Sequence, residues 1–331
     1  MLIAITKNTV RNEFLTQNMA LNLRQLELAQ VGLVNSERTP TIERPQLDGP
    51  IFGLGEPGTD VSALDIAADG EIVATGEMDG TIRFWKWGTD DIRVIELPPS
   101  GDLHPFSGLV VDPAGLRIAV AVSPRWAPGR EVMWCGIDGD SMLRSYASAV
   151  SSIAFVDSTT LMAASENGGL FSFKGHPILN MGHMHSERHL QSSITSVAAQ
   201  INTSVLATGD KDGMVRLWST QAFEMISLWN AHKGIITCVK FNSAGNTLAT
   251  GGQDGYIRLW TSTGDSMASF RPDDSGVAGL ALHPNGNLVA CTKENGAAYL
   301  WNLKSDGAPD TLFPAGAGAL SITFSKDGDR V

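Results

Sequence analysis

The densest group of side chains able to ligate a metal is the stretch GHPILNMGHMHSERHL (175–190), which holds His176, His183, His185 and His189. A structural or catalytic zinc needs three or four ligands converging with fixed geometry. A polar stretch of this kind between apolar runs is instead expected to be a solvated loop, with His189 an off-register partner for the fold. The other catalytic patterns fail on context. No G-x-S-x-G elbow occurs. GLGEPG (53–58) lacks the Lys-Ser/Thr pair and the strand–helix setting of a phosphate loop. Asp69, Asp112, Asp138 and Asp327 sit in turn sequences, where a carboxylate caps backbone N–H groups. No metal, cofactor or catalytic residue is expected.

The composition narrows the partners. Lys and Arg number 24 against 35 Asp and Glu, a formal net charge of −11. Phosphate binding needs a concentrated basic patch, so nucleic acid is not expected as the main partner. No apolar run reaches the ~18–20 residues of a membrane helix. Cys135, Cys238 and Cys291 are odd in number, far apart and outside any C-x-x-C pair, which suggests reduced thiols in a reducing compartment, the cytoplasm.

The elements that hold any site follow from internal repetition. ATGDKDGMVRLW (207–218) and ATGGQDGYIRLW (249–260) agree at eight of twelve positions, and related segments are ATGEMDGTIRFW (74–85), AASENGGLFSF (163–173) and ACTKENGAAYLW (290–301). The glycine after each Asp or Asn falls at 80, 168, 213, 255 and 296, spacings of 88, 45, 42 and 41 residues. A second series, Gly70, Gly115, Gly245, Gly286 and Gly328, supplies the unit missing from the first interval. Asp-Gly and Asn-Gly dipeptides accept the positive φ of a tight hairpin, so the flanking β-rich runs are antiparallel neighbours. A period of 40–45 residues is that of a four-stranded propeller blade.

With these segments the chain resembles the WD-repeat β-propellers over roughly residues 59–331. In that family a His, a Ser or Thr, an Asp and a Trp knit each blade. The resemblance implies such a relay of His232, Thr250, Asp254 and Trp260 in the fifth unit. Thr208, Asp212 and Trp218 match in the fourth, and Thr75, Asp79 and Trp85 in the first. The third unit has Ala163 and Phe173, and the sixth has Cys291 and Asn295 beside Trp301. A buried indole N–H needs an acceptor and a buried carboxylate needs donors, so these residues are read as scaffold.

Six units run from about 59 to 318, and a seventh begins at LSITFSKDGDRV. The expected fold is all-β: a seven-bladed propeller of four-stranded antiparallel blades, its last blade closed by pairing of N- and C-terminal segments. Residues 1–58 would be blade-closing strands plus a Pro/Gly-rich loop over 35–58, and 59–331 the propeller. For 12–34 an amphipathic helix with Leu15, Met19, Leu23 and Leu26 on one side competes with strands. A chain continuing beyond Val331 is a third reading of the end.

The first strands of the units carry only two charges, Asp65 and Lys240, too few to build a central metal site. Recognition by loops is therefore expected. In the second unit the turn is replaced by SPRWAPGR (123–130), with Arg125, Trp126 and Arg130, side-chain types enriched at interface hot spots. The corresponding loops add Glu77, Met78, Glu166, Lys211, Gln253, Lys293 and Glu294 on the same face. Their mixed signs imply a protein or peptide partner. The sequence reads as a monomeric, non-enzymatic, protein-binding scaffold, with two alternatives open: a lactonase-like metal-dependent propeller hydrolase, or the sensor part of a larger signalling chain.

Overall fold

The computed structural model describes residues 61–67, 72–77, 80–86, 92–96, 106–122, 130–136, 143–147, 150–174, 187–188, 192–201, 203–222, 224–304, 308–316 and 321–324. Blade one is β1 (Val61–Ile66), β2 (Ile72–Glu77), β3 (Thr81–Lys86) and β4 (Ile92–Glu96); blade two is β5 (Phe106–Val111), β6 (Arg117–Val122), β7 (Arg130–Gly136) and β8 (Leu143–Ala147). Blade three is β9 (Val150–Asp157), β10 (Thr160–Ser165), β11 (Gly169–Lys174) and β12 (Glu187–Arg188); blade four is β13 (Ile194–Ala199), β14 (Val205–Asp210), β15 (Met214–Ser219) and β16 (Met225–Asn230). Blade five is β17 (Ile236–Phe241), β18 (Thr247–Gly252), β19 (Ile257–Thr261) and β20 (Ser266–Phe270); blade six is β21 (Val277–Leu282), β22 (Leu288–Lys293), β23 (Ala298–Asn302) and β24 (Asp310–Phe313). Each blade is an antiparallel meander in chain order, and the inner strands β1, β5, β9, β13, β17 and β21 lie side by side in succession.

The expected seven blades are corrected to six: the described residues form six four-stranded sheets and no seventh. Of LSITFSKDGDRV, residues 321–324 join no strand. Ile322 is buried against Ala281 and Ala290 of blade six, and the Phe324 ring meets His283 edge-on at 5.2 Å. An apolar alternation that reads as a first strand is thus satisfied by packing on blade six rather than by pairing. The proposed closing strands and the competing helix within residues 1–58 lie outside the described residues.

The repeated Ala-Thr-Gly follows from blade packing. Second strands are buried on both faces, as in TLATGG, every residue of which is buried, while the outer strand MISLWN is largely exposed. Small residues let neighbouring blades approach. A Cβ on Gly76 would lie 2.5 Å from Phe106, on Gly209 2.5 Å from Ile236, and on Gly251 2.6 Å from Val277, each the first residue of the next blade.

That first residue is followed by a bulge. The register slips between Val61 and Ala63, Ile194 and Ser196, and Ile236 and Cys238, so Ser62, Thr195 and Thr237 each stand opposite no partner. Their hydroxyls turn back onto the carbonyls of Gly76, Gly209 and Gly251 at 3.1, 3.0 and 3.1 Å. Ser151 and Thr195 also reach Ile194 and Ile236 carbonyls in the following blade. One residue further on, Ser152 and Ser196 accept from the N–H of Val197 and Val239, again across a blade border. Asp65 does the same work in blade one, accepting the Val111 N–H at 2.8 Å. Sequence reasoning passed over these hydroxyls; their signal is the Ser or Thr at the second and third positions of the inner strands.

Candidate functional site

At one end of the blades, the loops between second and third strands meet the loops that enter the next blade. Blade five shows the fullest chemistry there. The Trp260 N–H donates to Thr250 Oγ1 at 3.0 Å, and Thr250 Oγ1 lies 2.7 Å from His232 Nε2. His232 Nδ1 lies 2.8 Å from Asp254 Oδ1, whose Oδ2 accepts from Arg258 at 3.0 Å. Thr250 is assigned as donor to Nε2 and neutral His232 as donor from Nδ1 to the carboxylate, with Arg258 Nη1 also 2.7 Å from Nδ1. The ring is 1 % exposed. Burial lowers its pKa, with Asp254 pushing partly back and the nearby Arg258 charge adding to the lowering. Burial would raise Asp254, but the hydrogen bonds from His232 and Arg258 outweigh it and hold the carboxyl at about 2.

Both groups therefore weaken the fold in acid. A folded-state pKa below the unfolded one means stability is complete above the unfolded value and is lost as pH falls through the folded one. The melting temperature should hold level from pH 8 to about 6.5, decline below it as His232 must charge on unfolding, and fall again between about 4 and 2 as Asp254 protonates. Thermal melts across that range check this. A His232→Phe variant should lose the upper part of the decline, and an unchanged profile in that variant would assign the decline elsewhere.

The other blades fill the same place differently. Gly252 ends the second strand of blade five, and a Cβ there would sit 2.4 Å from His232 Nδ1. In blade four the equivalent residue is Asp210, fully buried, accepting the N–H groups of Asp212 and Met214 at 2.9 Å each and ion-paired to Arg216. The Trp218 N–H donates to Thr208 at 2.9 Å. Asp212, expected in this relay, is exposed on the turn, because Asp210 already occupies the cavity. In blade one Trp85 donates to Thr75 at 3.2 Å, and Glu77, expected on the loop surface, is fully buried at the strand end and pairs with Arg83. Asp79 lies outside the described residues. In blade two Val120 stands in the threonine position and Cys135, paired with Ile118, in the tryptophan position, so neither of those two relay members is present; the neighbouring Trp134 packs on the other face of the blade.

Blade six reverses the charges, and here a further expectation fails. Lys293, read as a loop residue open to partners, is fully buried. Its Nζ donates to the Gly255 carbonyl at 2.9 Å and lies 3.3 Å from Asp273 Oδ1. Asp273 also accepts from Asn295 and Tyr299, each at 3.1 Å. The signal available in the sequence was positional. The residue three before the turn glycine is Glu77, Asp210, Gly252 or Lys293, and six residues later come Arg83, Arg216, Arg258 and Tyr299.

The exposed rim is one residue further along. Lys211, Gln253 and Glu294 occupy equivalent exposed positions. Each backbone N–H is fixed to the entering loop: Lys211 to Ser193 at 3.0 Å, Gln253 to Ile235 at 2.9 Å, and Glu294 to Gly276 at 2.9 Å. Met78, Arg125, Trp126 and the four histidines of 175–190 lie outside the described residues, as does the Arg130 side chain. Among the described residues no three His, Cys, Asp or Glu side chains converge as metal ligands.

Comparison with known proteins agrees with this geometry. The model of the family described as "WD domain, G-beta repeat" matches residues 50–86, 170–219, 223–261 and 264–302. The chain belongs to the WD-repeat β-propeller family. Among WD-repeat structures it superposes on U3-55K with a TM-score of 0.69 at 19% identity, covering 83% of this chain and 88% of that one. The β-propeller domain of Myceliophteria thermophila Cps50 (Swd1) gives a TM-score of 0.70 at 16% identity, covering 82% and 93%. These likenesses concern the fold. Telomerase protein component 1 of Rattus norvegicus is 27% identical over 181 residues, 53% of this chain and 6% of that protein. Its Mus musculus counterpart is 24% identical over 307 residues, 75% of this chain and 11% of that protein. Mitochondrial division protein 1 of Candida glabrata is 23% identical over 55% of this chain and 23% of its own length. This WD-repeat chain thus spans less than a quarter of each of these relatives over the matched region.

Proposed function

We propose that this WD-repeat propeller is a non-catalytic platform that holds one or more partner proteins in an assembly, docked on the rim of second-to-third-strand loops. The observation that carries the reading is the set of Lys211, Gln253 and Glu294. A cation, an amide and an anion are exposed at equivalent positions, each pinned by its own backbone N–H. Rigid display reduces the ordering entropy lost on binding, and mixed signs suit a protein surface better than a polyanion. That a matched relative is named as a component, telomerase protein component 1, supports an assembly role. The loop with Arg125, Trp126 and Arg130 and the residue Met78 belong to the proposed rim by their place in the repeat. Cys238 and Cys291 are free thiols whose burial raises their pKa, Cys291 to about 12, which suits a reducing compartment such as the cytoplasm.

The test is co-purification with wild-type protein, Trp126→Ala and the double variant Lys211→Glu/Gln253→Arg in parallel. A specific partner should be retained by the wild type and lost from either variant, with the melting temperature within about 2 °C, as befits surface changes worth under ~0.5 kcal/mol. A partner list identical in all three would remove this rim from the function.

A further inference from the structure

The opposite end of the blades carries the turns between first and second strands, and there the seams between blades are bridged by side chains. At the seam of blades two and three, Arg117 donates from Nη1 to the Ser158 carbonyl at 2.7 Å. At the seam of blades four and five, Gln200 donates from Nε2 to the Gly245 carbonyl at 2.8 Å. Both struts are hydrogen-bond donors reaching from one blade onto the first turn of the next.

Between blades three and four the described residues supply no such strut. The residue in register with Gln200 is Asp157, which stands opposite Thr160 as Gln200 stands opposite Val205, with Val156 left unpaired at a bulge. The residue in register with Arg117 is Thr160, the first of its second strand. A carboxylate cannot donate, and a threonine is too short to cross. The result is an open cavity of about 370 Å³ floored by Val156 and walled by Asp157, Thr160, Thr203, Ser204, Thr220 and Gln221. No Lys or Arg is among these residues. The Asp157 carboxylate is partly exposed, and it accepts the Thr159 N–H and hydroxyl at 2.7 Å each on Oδ1. Burial alone would raise its pKa, but the hydrogen bonds from Thr159 and Thr160 outweigh that and keep it ionised.

We propose that the seam between blades three and four is a binding site for an arginine side chain of a partner protein. The flanking seams show what such a gap accepts: a long donor side chain laid across to the next turn. The carboxylate in this one selects a cation, and the Thr160, Thr203, Ser204 and Thr220 side chains among the lining residues supply hydroxyl oxygens for the several N–H groups of a guanidinium. The site lies on the other end of the propeller from the loop rim, so it stands or falls independently of that reading.

The probe is capped arginine, N-acetyl-arginine amide, titrated into the protein and followed by NMR, with capped citrulline as the neutral isostere. Millimolar binding of the arginine probe is expected, with shifts confined to Thr160, Thr203, Ser204 and Thr220, and with citrulline at least tenfold weaker. Asp157→Asn should weaken the arginine probe about tenfold or more, the usual scale of one charge-assisted hydrogen bond. Thr160→Arg would place an internal copy of the Arg117 strut in the gap and should abolish binding without lowering the melting temperature. Equal binding of citrulline, shifts elsewhere, no binding at all, or undiminished binding by a folded Asp157→Asn protein would each overturn the proposal.

Discussion

Gly213→Ala should cost on the order of 2–6 kcal/mol, more than a single added methyl group ordinarily does. The residue has φ +81, and the new Cβ would stand 2.0 Å from the His232 carbonyl oxygen. The left-handed conformation alone costs about 1–3 kcal/mol for a residue with a side chain. The contact cannot be relieved by a rotamer change, because the obstructing atom is backbone. Relief requires parting residue 213 from 231–232, and the Gly213 carbonyl accepts both the Ala231 and the His232 N–H there, at 2.8 and 3.1 Å. Losing those two bonds adds about 1–3 kcal/mol, and His232 would carry the disturbance into the relay of blade five. The internal control is Gly234→Ala. That glycine has φ +114 but nothing within 4 Å of the added atom, so it should cost only the conformational strain, about 1–3 kcal/mol. Denaturant titration of the two variants side by side measures the difference. Equal losses would mean that Gly213 is not where the structure places it.

Lys293→Ala should be the next most damaging change, at about 3–5 kcal/mol, the usual result of removing one member of a buried ion pair. It strips a donor from the Gly255 carbonyl, takes the cation from Asp273 and leaves a cavity where a long side chain lay. Lys293→Met keeps the volume and loses the charge. Asp273 retains Asn295 and Tyr299 and is 24% exposed, so it remains partly solvated, and the methionine variant should lose only about 1–3 kcal/mol. A surface lysine would give the reverse pattern, with both variants within about 0.5 kcal/mol of wild type. That outcome would return Lys293 to the rim.

The failure over Lys293 shows what one sequence conceals. Its neighbours Thr292 and Glu294 alternate as a strand end and a turn should, and a lysine beside an Asn-Gly turn is ordinarily solvated. What buries it is Asp273, twenty residues away on the loop that enters the same blade, and no local pattern announces that contact. Asp212 was misplaced for a related reason. The family pattern puts the carboxylate on the turn, where blade five has Asp254, but that placement requires a glycine at 252 to admit the imidazole. Blade four has Asp210 there, which leaves no room for a histidine and no task for Asp212. By contrast the blade borders were legible, since hairpin glycines, alternating inner strands and the Ala-Thr-Gly core are all dictated by short-range geometry. Blade number was not. The apolar residues of ITF (322–324) alternate like a strand whether they pair in a sheet or, as Ile322 does, simply cover one.

The glycines at 76, 209 and 251 make the blades directional. Each is a socket, and the matching plug, Phe106, Ile236 or Val277, belongs to the unit that follows. Two stretches as alike as 207–218 and 249–260 are consequently not interchangeable parts. Moving one blade would set a socket against the wrong plug at both of its borders. Any recombination or engineered shuffling of these blades should respect the joints and cut through the middle of a blade, rather than between neighbours.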